Sequence, residues 1–226
     1  MKHLPELMAI LAHDMRNPLS ALLTNIHFVQ SIARGSALDI DEALTDSALS
    51  CSVLGQIIGN LEVLGRAFAG ARPPATAVGT REAAAQAVAR VAQQALLAAI
   101  EPVMAPGPGA TVLVEPLLFG RALDNLLANA LQYAPAKTKI TVELATAGER
   151  ACVRVIDVGP IVPPEFRERV LTEEGQGAAK KRYEARYGRG LGLYCAGQAA
   201  HLAGADLTLG EREGHAVAEL WGPLVP

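Results

Sequence analysis

Two long stretches with an apolar residue at every third or fourth position occupy the first seventy residues and constrain the fold most strongly. This spacing places the apolar side chains on one face of a helix. The first stretch carries Leu4, Leu7, Leu11, Met15, Leu19, Leu22, Ile26 and Val29. The second, after a turn predicted at Arg34-Gly35-Ser36 and an acidic start at residues 39–42, carries Leu44, Cys51, Leu54, Ile58, Leu61, Leu64 and Phe68. The sequence therefore predicts a helical hairpin.

A single hairpin encloses too little volume to bury both apolar stripes. Pairing with a second copy into a four-helix bundle completes such a core. We therefore predict a homodimer that forms through residues 1–70.

A second domain is predicted after a linker over residues 71–79, which is rich in proline and glycine. Residues 80–226 mix helical and strand patterns, so the fold class is α+β, with an α/β sandwich following the hairpin. Strands near 140–145 and 151–156 are separated by only a few residues, which predicts an antiparallel pair. The other predicted elements are helices over 81–99, 115–133 and 191–202, a strand over 111–114 and a last hairpin through 207–220.

Composition excludes several classes of protein. Charged residues make up 19% of the chain and the net charge is -3, so no basic surface indicates nucleic acid binding. No uninterrupted apolar run approaches the roughly 18 residues of a membrane span, and we expect no span in this chain. Three distant cysteines without metal-ligand spacing indicate reduced thiols and a cytoplasmic location.

One histidine stands out on the first predicted helix, in the segment His13-Asp14-Met15-Arg16-Asn17-Pro18-Leu19. Neutral imidazole is a nucleophile, and the neighbouring Asp14 can orient it. Pro18 removes a backbone donor one turn further along the helix. A His-Asp pair on a helix is also a common solvated surface pair, so this segment alone does not establish a reactive histidine.

Three weaker patterns follow in the second domain. Asn125 and Asn129 are four residues apart and share one helix face, and their amide oxygens suit Mg²⁺. Asp157 and Gly159 end an apolar strand, where the carboxylate can accept a hydrogen bond. The segment Gly188-Arg189-Gly190-Leu191-Gly192 opens a helix, and its backbone amides favour a phosphate.

In this order, the four patterns resemble the H, N, G1 and G2 boxes of the sensor histidine kinases of two-component signalling. The matching segments are HDMRNPL, DNLLANALQYAP, DVGP and GRGLGLYCAGQAAHLAGADL, and the resemblance extends over nearly the whole chain. It implies a dimerisation and phosphotransfer hairpin over 1–70 and an ATP-binding catalytic domain of the Bergerat type over 80–226.

The resemblance also implies roles for individual residues. His13 would take the γ-phosphoryl group of ATP and pass it to an aspartate of a response-regulator receiver domain. Asp14 would orient His13, and Asn17 would allow phosphatase activity, although an exposed polar residue explains Asn17 equally well. The implied nucleotide contacts are Asn129 with Mg²⁺, Asn125 with phosphate or metal, Asp157 with adenine, Tyr133 and Gly159 in the adenine pocket, and Gly188, Arg189, Gly190, Leu191 and Gly192 with the phosphates.

Three departures from the family pattern bear on nucleotide binding. Ile161 stands where a second glycine is usual, and Gln132 stands where a basic residue is usual. The segment between Leu171 and Gly188 lacks the usual phenylalanines. We interpret it as a lid whose basic side chains mainly keep it solvated.

Two alternatives therefore stay open: a non-catalytic phosphotransfer or scaffold protein with a degenerate ATP domain, and an ATPase related to gyrase, Hsp90 or MutL. The ATPase is disfavoured because those proteins carry a glutamate where Asn125 stands. Because no sensor domain precedes Leu4, we expect the signal to come from a separate protein or from further parts of a longer chain.

Overall fold

The structure, a computed structural model, describes residues 4–32, 40–70, 73–172 and 191–225. The chain divides into two compact units. The first contains helix α1 (Leu4–Ile32) and helix α2 (Ile40–Ala69) as far as Leu61. The second begins at Glu62. Both predicted helices are confirmed, and the turn predicted at residues 34–36 lies outside the described residues.

Several apolar side chains on the described parts of the first unit are about half exposed in a single chain. On α1, Leu19 and Ile26 from the predicted stripe are 47% and 40% exposed. On α2, Leu44 and Ile58 are 53% and 48% exposed. Burying the exposed half of each such side chain would contribute about 1 kcal/mol. The two helices therefore carry an apolar surface that a single chain leaves uncovered.

Among the described residues, one helical stretch, Ala43–Ala69, is long and apolar enough to cross a membrane, with a mean hydropathy of 1.3. Scattered polar residues interrupt the apolar run of α2, so no continuous run of span length appears in the sequence, whereas mean hydropathy tolerates such interruptions. The finding is weak evidence for a span, since the core helix of a soluble protein has the same properties.

In its described residues, the second unit places a five-stranded sheet and three α-helices around one core. Its strands and helices are β1 (Thr76–Gly79), α3 (Thr80–Leu97), β2 (Glu101–Met104), β3 (Thr111–Val114), α4 (Pro116–Tyr133), β4 (Lys139–Ala147), β5 (Arg150–Asp157), α5 (Leu191–Ala203), β6 (Asp206–Arg212) and β7 (His215–Pro223). The large sheet has the order β2-β4-β5-β7-β6, and only the β2-β4 pair is parallel. The predicted antiparallel pair β4-β5 is confirmed, with Val142 opposite Val155.

Helix α4 lies at the centre of the core and packs against α3, α5 and the sheet. Phe119, Leu123 and Leu127 on α4 are at most 1% exposed, and Ile140 and Leu220 from the sheet are fully buried beside them. Because these residues recur every three or four positions, one face of α4 is anchored and the neighbouring face is held at a fixed rotation. This rotation determines where the polar residues of α4 point.

The opposite face of the sheet carries a chain of ion pairs. Arg154 on β5 contacts Glu143 on β4 at 3.1 Å and Glu219 on β7 at 2.5 Å. Arg212 at the end of β6 binds Glu143 through both guanidinium Nη atoms, at 2.9 and 2.7 Å. Four strands of the sheet are thus joined by charges on the face away from the helices.

The structure differs from the sequence prediction at short elements and at one boundary. Strand β1 lies inside the predicted linker and pairs with β3, and strand β2 forms an edge of the large sheet. Each has only four residues, and β2 includes Pro102, so neither shows a clear strand pattern. The boundary between the units falls inside α2 rather than at residue 70, because Val63 is buried in the core of the second unit.

Candidate nucleotide site

One face of α4 forms the base of the candidate site. The helix begins after Glu115, whose carboxylate accepts the main-chain N–H of Leu118 at 2.6 Å, and Pro116 occupies its first turn. From this start, Asn125, Asn129 and Tyr133 recur every fourth residue. They lie in one row that extends about 12 Å along the helix.

Asn125 is fixed at the first position of this row. It is 1% exposed, and its amide Nδ2 donates to the main-chain oxygen of Arg121 at 2.9 Å. Leu126 and Leu127 beside it are buried in the core, as predicted. The side-chain oxygen of Asn125 faces the start of α5, where a Cβ added to Gly192 would lie 3.9 Å from it.

The turn after β5 closes the other end of the row. The main-chain N–H of Gly159 donates to Asp157 Oδ1 at 2.7 Å. A Cβ added to Gly159 would lie 2.6 Å from that oxygen and 3.2 Å from the carbonyl carbon of Tyr133. A residue with a Cβ at position 159 would displace the Asp157 carboxylate and crowd the last residue of α4.

Burial raises the pKa of Asp157, the carboxyl at this turn. The hydrogen bond from Gly159 and the charge of His215 act in the opposite direction but are weaker than burial. One carboxylate oxygen is held by Gly159, which leaves the second oxygen as an acceptor for a ligand amino group.

Helix α5 presents its N-terminus at the Asn125 end of the row. Its first residue, Leu191, is 5% exposed, and Gly192 follows it. The N–H groups at a helix start have no partner within the helix, and the helix dipole favours an anion there. Gly197 on the same helix meets Leu171, where an added Cβ would lie 3.3 Å from Leu171 Cβ. The segment after the Asp157 turn thus packs on α5.

The fold therefore brings seven predicted site residues to one helix face and its two ends: Asn125, Asn129, Tyr133, Asp157, Gly159, Leu191 and Gly192. Gly188, Arg189 and Gly190 lie outside the described residues, as does the predicted lid from residue 173 onward. His13 and Asp14 lie on α1, but their side chains are not described. Asn17, one turn further along α1, is exposed.

The carboxylate of Asp124, the residue before Asn125, binds a side chain on another helix. Asp124 Oδ1 accepts the Nε of Arg90 on α3 at 2.8 Å, and the Nη2 of Arg90 lies 2.7 Å away. Burial raises the pKa of Asp124, against the opposing effects of Arg90 and Arg121. Asp124 thus ties α4 to α3 and does not face the row of asparagines.

Two contacts at the site escaped sequence analysis. The main-chain oxygen of Arg121 holds the Asn125 amide, a contact that any residue type at position 121 can supply. His215, to which sequence analysis assigns no role, acts on Asp157 because β7 places its neighbour Ala216 opposite Asp157. Strand register brings these two residues together, and their sequence separation gives no sign of it.

The side-chain oxygens at the site suit a hard cation that takes its remaining ligands from a bound phosphate and from water. Within the described ranges, no group of three histidine, cysteine, aspartate or glutamate side chains could hold a metal on its own. Asn129, half-buried in the middle of the row, offers a neutral amide oxygen of the kind that Mg²⁺ accepts alongside phosphate and water oxygens.

Comparison with known proteins identifies the family of the domain that carries this site. Residues 114–224 match the family of histidine kinase-, DNA gyrase B- and HSP90-like ATPases. The sensor protein IrlS of Burkholderia pseudomallei is 33% identical over 81% of this chain, and KdpD of Escherichia coli is 27% identical over 83%. The chain spans only 39% and 20% of these two relatives.

Solved structures show the same fold. The Acinetobacter baumannii histidine kinase AdeS covers 95% of this chain with a TM-score of 0.61 at 13% identity, and 98% of the AdeS chain is matched. Full-length ShkA, solved in complex with AMPPNP, covers 98% of this chain with a TM-score of 0.61 at 22% identity, over 46% of its own length. The α+β fold, with helices followed by a Bergerat-type sheet domain, is thereby confirmed. The chain belongs to the sensor histidine kinases, with an ATPase-type catalytic domain over residues 114–224.

Proposed function

We propose that this protein phosphorylates itself on His13 with ATP and passes the phosphoryl group to an aspartate of a response-regulator receiver domain. One observation carries the proposal: Gly159 and Gly192 approach the two ends of a single row, Asn125 to Tyr133, on α4. A nucleotide along this row would meet a carboxylate that accepts the adenine amino group at one end and the N-terminus of α5 at the other.

ATP is the nucleotide we assign to the site. Asp157 accepts the adenine amino group through its second carboxylate oxygen, and Tyr133 borders the adenine. The amides at the start of α5, with Gly192 and the preceding Gly188, Arg189 and Gly190, bind phosphate. Asn129 binds Mg²⁺, with Asn125 in support. The bound Mg²⁺ neutralises phosphate charge, and catalysis otherwise depends on positioning.

The chemistry on α1 requires a neutral imidazole. A ring nitrogen of His13 bonds to the γ-phosphorus as the bond to the oxygen that bridges the β- and γ-phosphates breaks, and ADP leaves. Asp14 holds the proton of the other ring nitrogen. Asn17 lies one turn from His13 and is exposed. It can orient a water molecule toward a phosphorylated receiver domain, which gives phosphatase activity.

The assembly we propose is a homodimer through α1 and α2. The exposed apolar side chains of both helices support it, since a second copy would bury them in a four-helix bundle. The receiver domain is a second partner, and a separate sensor protein or further domains supply the signal. We place the catalytic domain in the cytoplasm.

The water-activating ATPase is less well supported. Its general base would stand where Asn125 is, and an amide cannot accept a proton in this role. Asp124, the nearest carboxylate along the helix, is bound to Arg90. Histidine phosphorylation needs no such base, which favours the kinase.

Incubation with γ-labelled ATP and Mg²⁺ separates the three functions. The kinase predicts label on the protein, and the label moves to an added receiver domain. Release of free phosphate without labelled protein would identify an ATPase. Absence of nucleotide binding would leave only the scaffold, and Asn129→Ala serves as the variant in which binding of MgATP should fail.

A further inference from the structure

Arg121 extends the row of polar residues on α4 by one turn beyond Asn125. It stands four residues before Asn125, and its main-chain oxygen holds the Asn125 amide. One helical turn covers about 5.4 Å, a distance that an arginine side chain can bridge. Arg121 thus lies beyond the phosphate end of the proposed site, at the opposite end from Tyr133 and the adenine.

Among the described residues, the guanidinium of Arg121 acts on Asp124 through its charge and forms one long ion pair, with Glu62. Its Nε is buried and has no hydrogen-bond partner within the described part of the chain. Its Nη2 lies 3.7 Å from the carboxylate of Glu62, which is too long for a hydrogen bond. Glu62 is 57% exposed, and such surface ion pairs contribute about 0–1 kcal/mol. A stronger anion can therefore displace Glu62.

We infer that Arg121 contacts the terminal phosphate of ATP, an inference that rests on the proposed ATP site. A phosphate at the start of α5 lies beside Asn125, and the next phosphate along the row comes within reach of Arg121. A planar guanidinium binds phosphate oxygens through two hydrogen bonds. Arg121 then supplies a positive charge at the phosphates, where Gln132 on the same helix is neutral, and Glu62 competes with the phosphate for it.

The test compares MgATP with MgADP binding to the full chain by calorimetry. Arg121→Gln should weaken ATP binding about tenfold, because a charged hydrogen bond is lost, and should change ADP binding less than twofold. Glu62→Gln should strengthen ATP binding, since the competing carboxylate is gone. Lys139→Gln, which removes a cation from an exposed ion pair with Glu101, is the charge-matched control and should affect neither nucleotide.

Failure of this inference is distinct from failure of the proposed function. One outcome is that the wild-type chain binds ATP while Arg121→Gln weakens the binding of ATP and ADP equally, or changes the binding of neither. Arg121 then has only a structural role through Glu62. If the wild-type chain binds no nucleotide, both proposals are wrong. Should Arg121→Gln unfold, Arg121→Lys and Glu62→Gln give the same comparison with the helix contacts largely kept.

Discussion

Asp157 and Gly159 form a closed turn in which the main-chain N–H of Gly159 donates to Asp157 Oδ1 at 2.7 Å, against the last residue of α4. One carboxylate oxygen therefore holds the turn, and the second can accept a hydrogen bond from a ligand. The adenine end of the proposed site depends on both oxygens.

The first prediction concerns pH. ATP binding through Asp157 needs the ionised carboxylate, so affinity is present above its pKa and falls as the pH drops through it. Since burial raises this pKa, the loss should begin at a higher pH than for an ordinary aspartate, whose pKa is about 3.9. Calorimetric titration across acidic pH measures this loss.

Asp157→Asn is the matched variant for this titration. Asparagine has one carbonyl oxygen to serve both the Gly159 N–H and the adenine, so ATP binding should weaken about tenfold or more at neutral pH. Its residual pH dependence reports groups other than Asp157, including the ATP phosphates. Identical pH profiles for both proteins would contradict the role of Asp157.

The second prediction tests the close approach at Gly159. Gly159→Ala places a Cβ 2.6 Å from Asp157 Oδ1, which must move aside, and 3.2 Å from the backbone of Tyr133. We expect a loss of about 1–3 kcal/mol in the free energy of unfolding, together with weaker ATP binding. Chemical denaturation measures the former. Gly210→Ala on β6 meets no atom within 4 Å and should change neither quantity substantially.

The third prediction distinguishes a packing role of Gly192 from a role in ligand binding. An alanine Cβ there would lie 3.9 Å from Asn125 Oδ1, an ordinary van der Waals distance, so the melting temperature should not fall. If the glycine is there to let phosphate approach the start of α5, ATP affinity should nevertheless drop. An equal loss of stability would instead indicate that Gly192 is required for helix packing.

The fourth prediction concerns the ion pairs on the open face of the sheet. Arg212, chiefly through its hydrogen bonds, lowers the pKa of Glu143, with a further contribution from Arg154. This contribution to stability is complete above the carboxyl's unfolded pKa and is lost as the pH falls through its lowered folded pKa. Glu143→Gln should therefore cost about 1 kcal/mol at neutral pH and nothing at a pH below the folded pKa.

Thermal unfolding at the two pH values measures this difference. Glu101→Gln removes an exposed ion pair with Lys139 and should have almost no effect at either pH. A pH-independent cost for Glu143→Gln would mean that Glu143 stabilises the sheet through packing of its side chain rather than through its charge.

Long periodic elements and ordered motifs could be predicted from the sequence, and contacts set by tertiary structure could not. The helices α1, α2 and α4 have enough turns for an apolar pattern to be unambiguous, and Asn125 to Tyr133 follow from helical spacing alone. Strands β1 and β2 are too short to show a pattern, and their pairing depends on distant partners. The approach of Gly192 to Asn125 depends in turn on the packing of α5 against α4, which spacing does not encode.

The most direct test of the account maps the phosphoryl group after incubation of the chain with γ-labelled ATP and Mg²⁺. We expect label that is labile in acid and stable in base, located by mass spectrometry on the peptide containing His13 and absent from His13→Gln. The His13→Gln variant should still bind ATP with wild-type affinity, because His13 is not part of the α4 row. Label that persists in His13→Gln, or a wild-type chain that binds MgATP yet acquires none, would contradict the assignment of His13 as the phosphoacceptor.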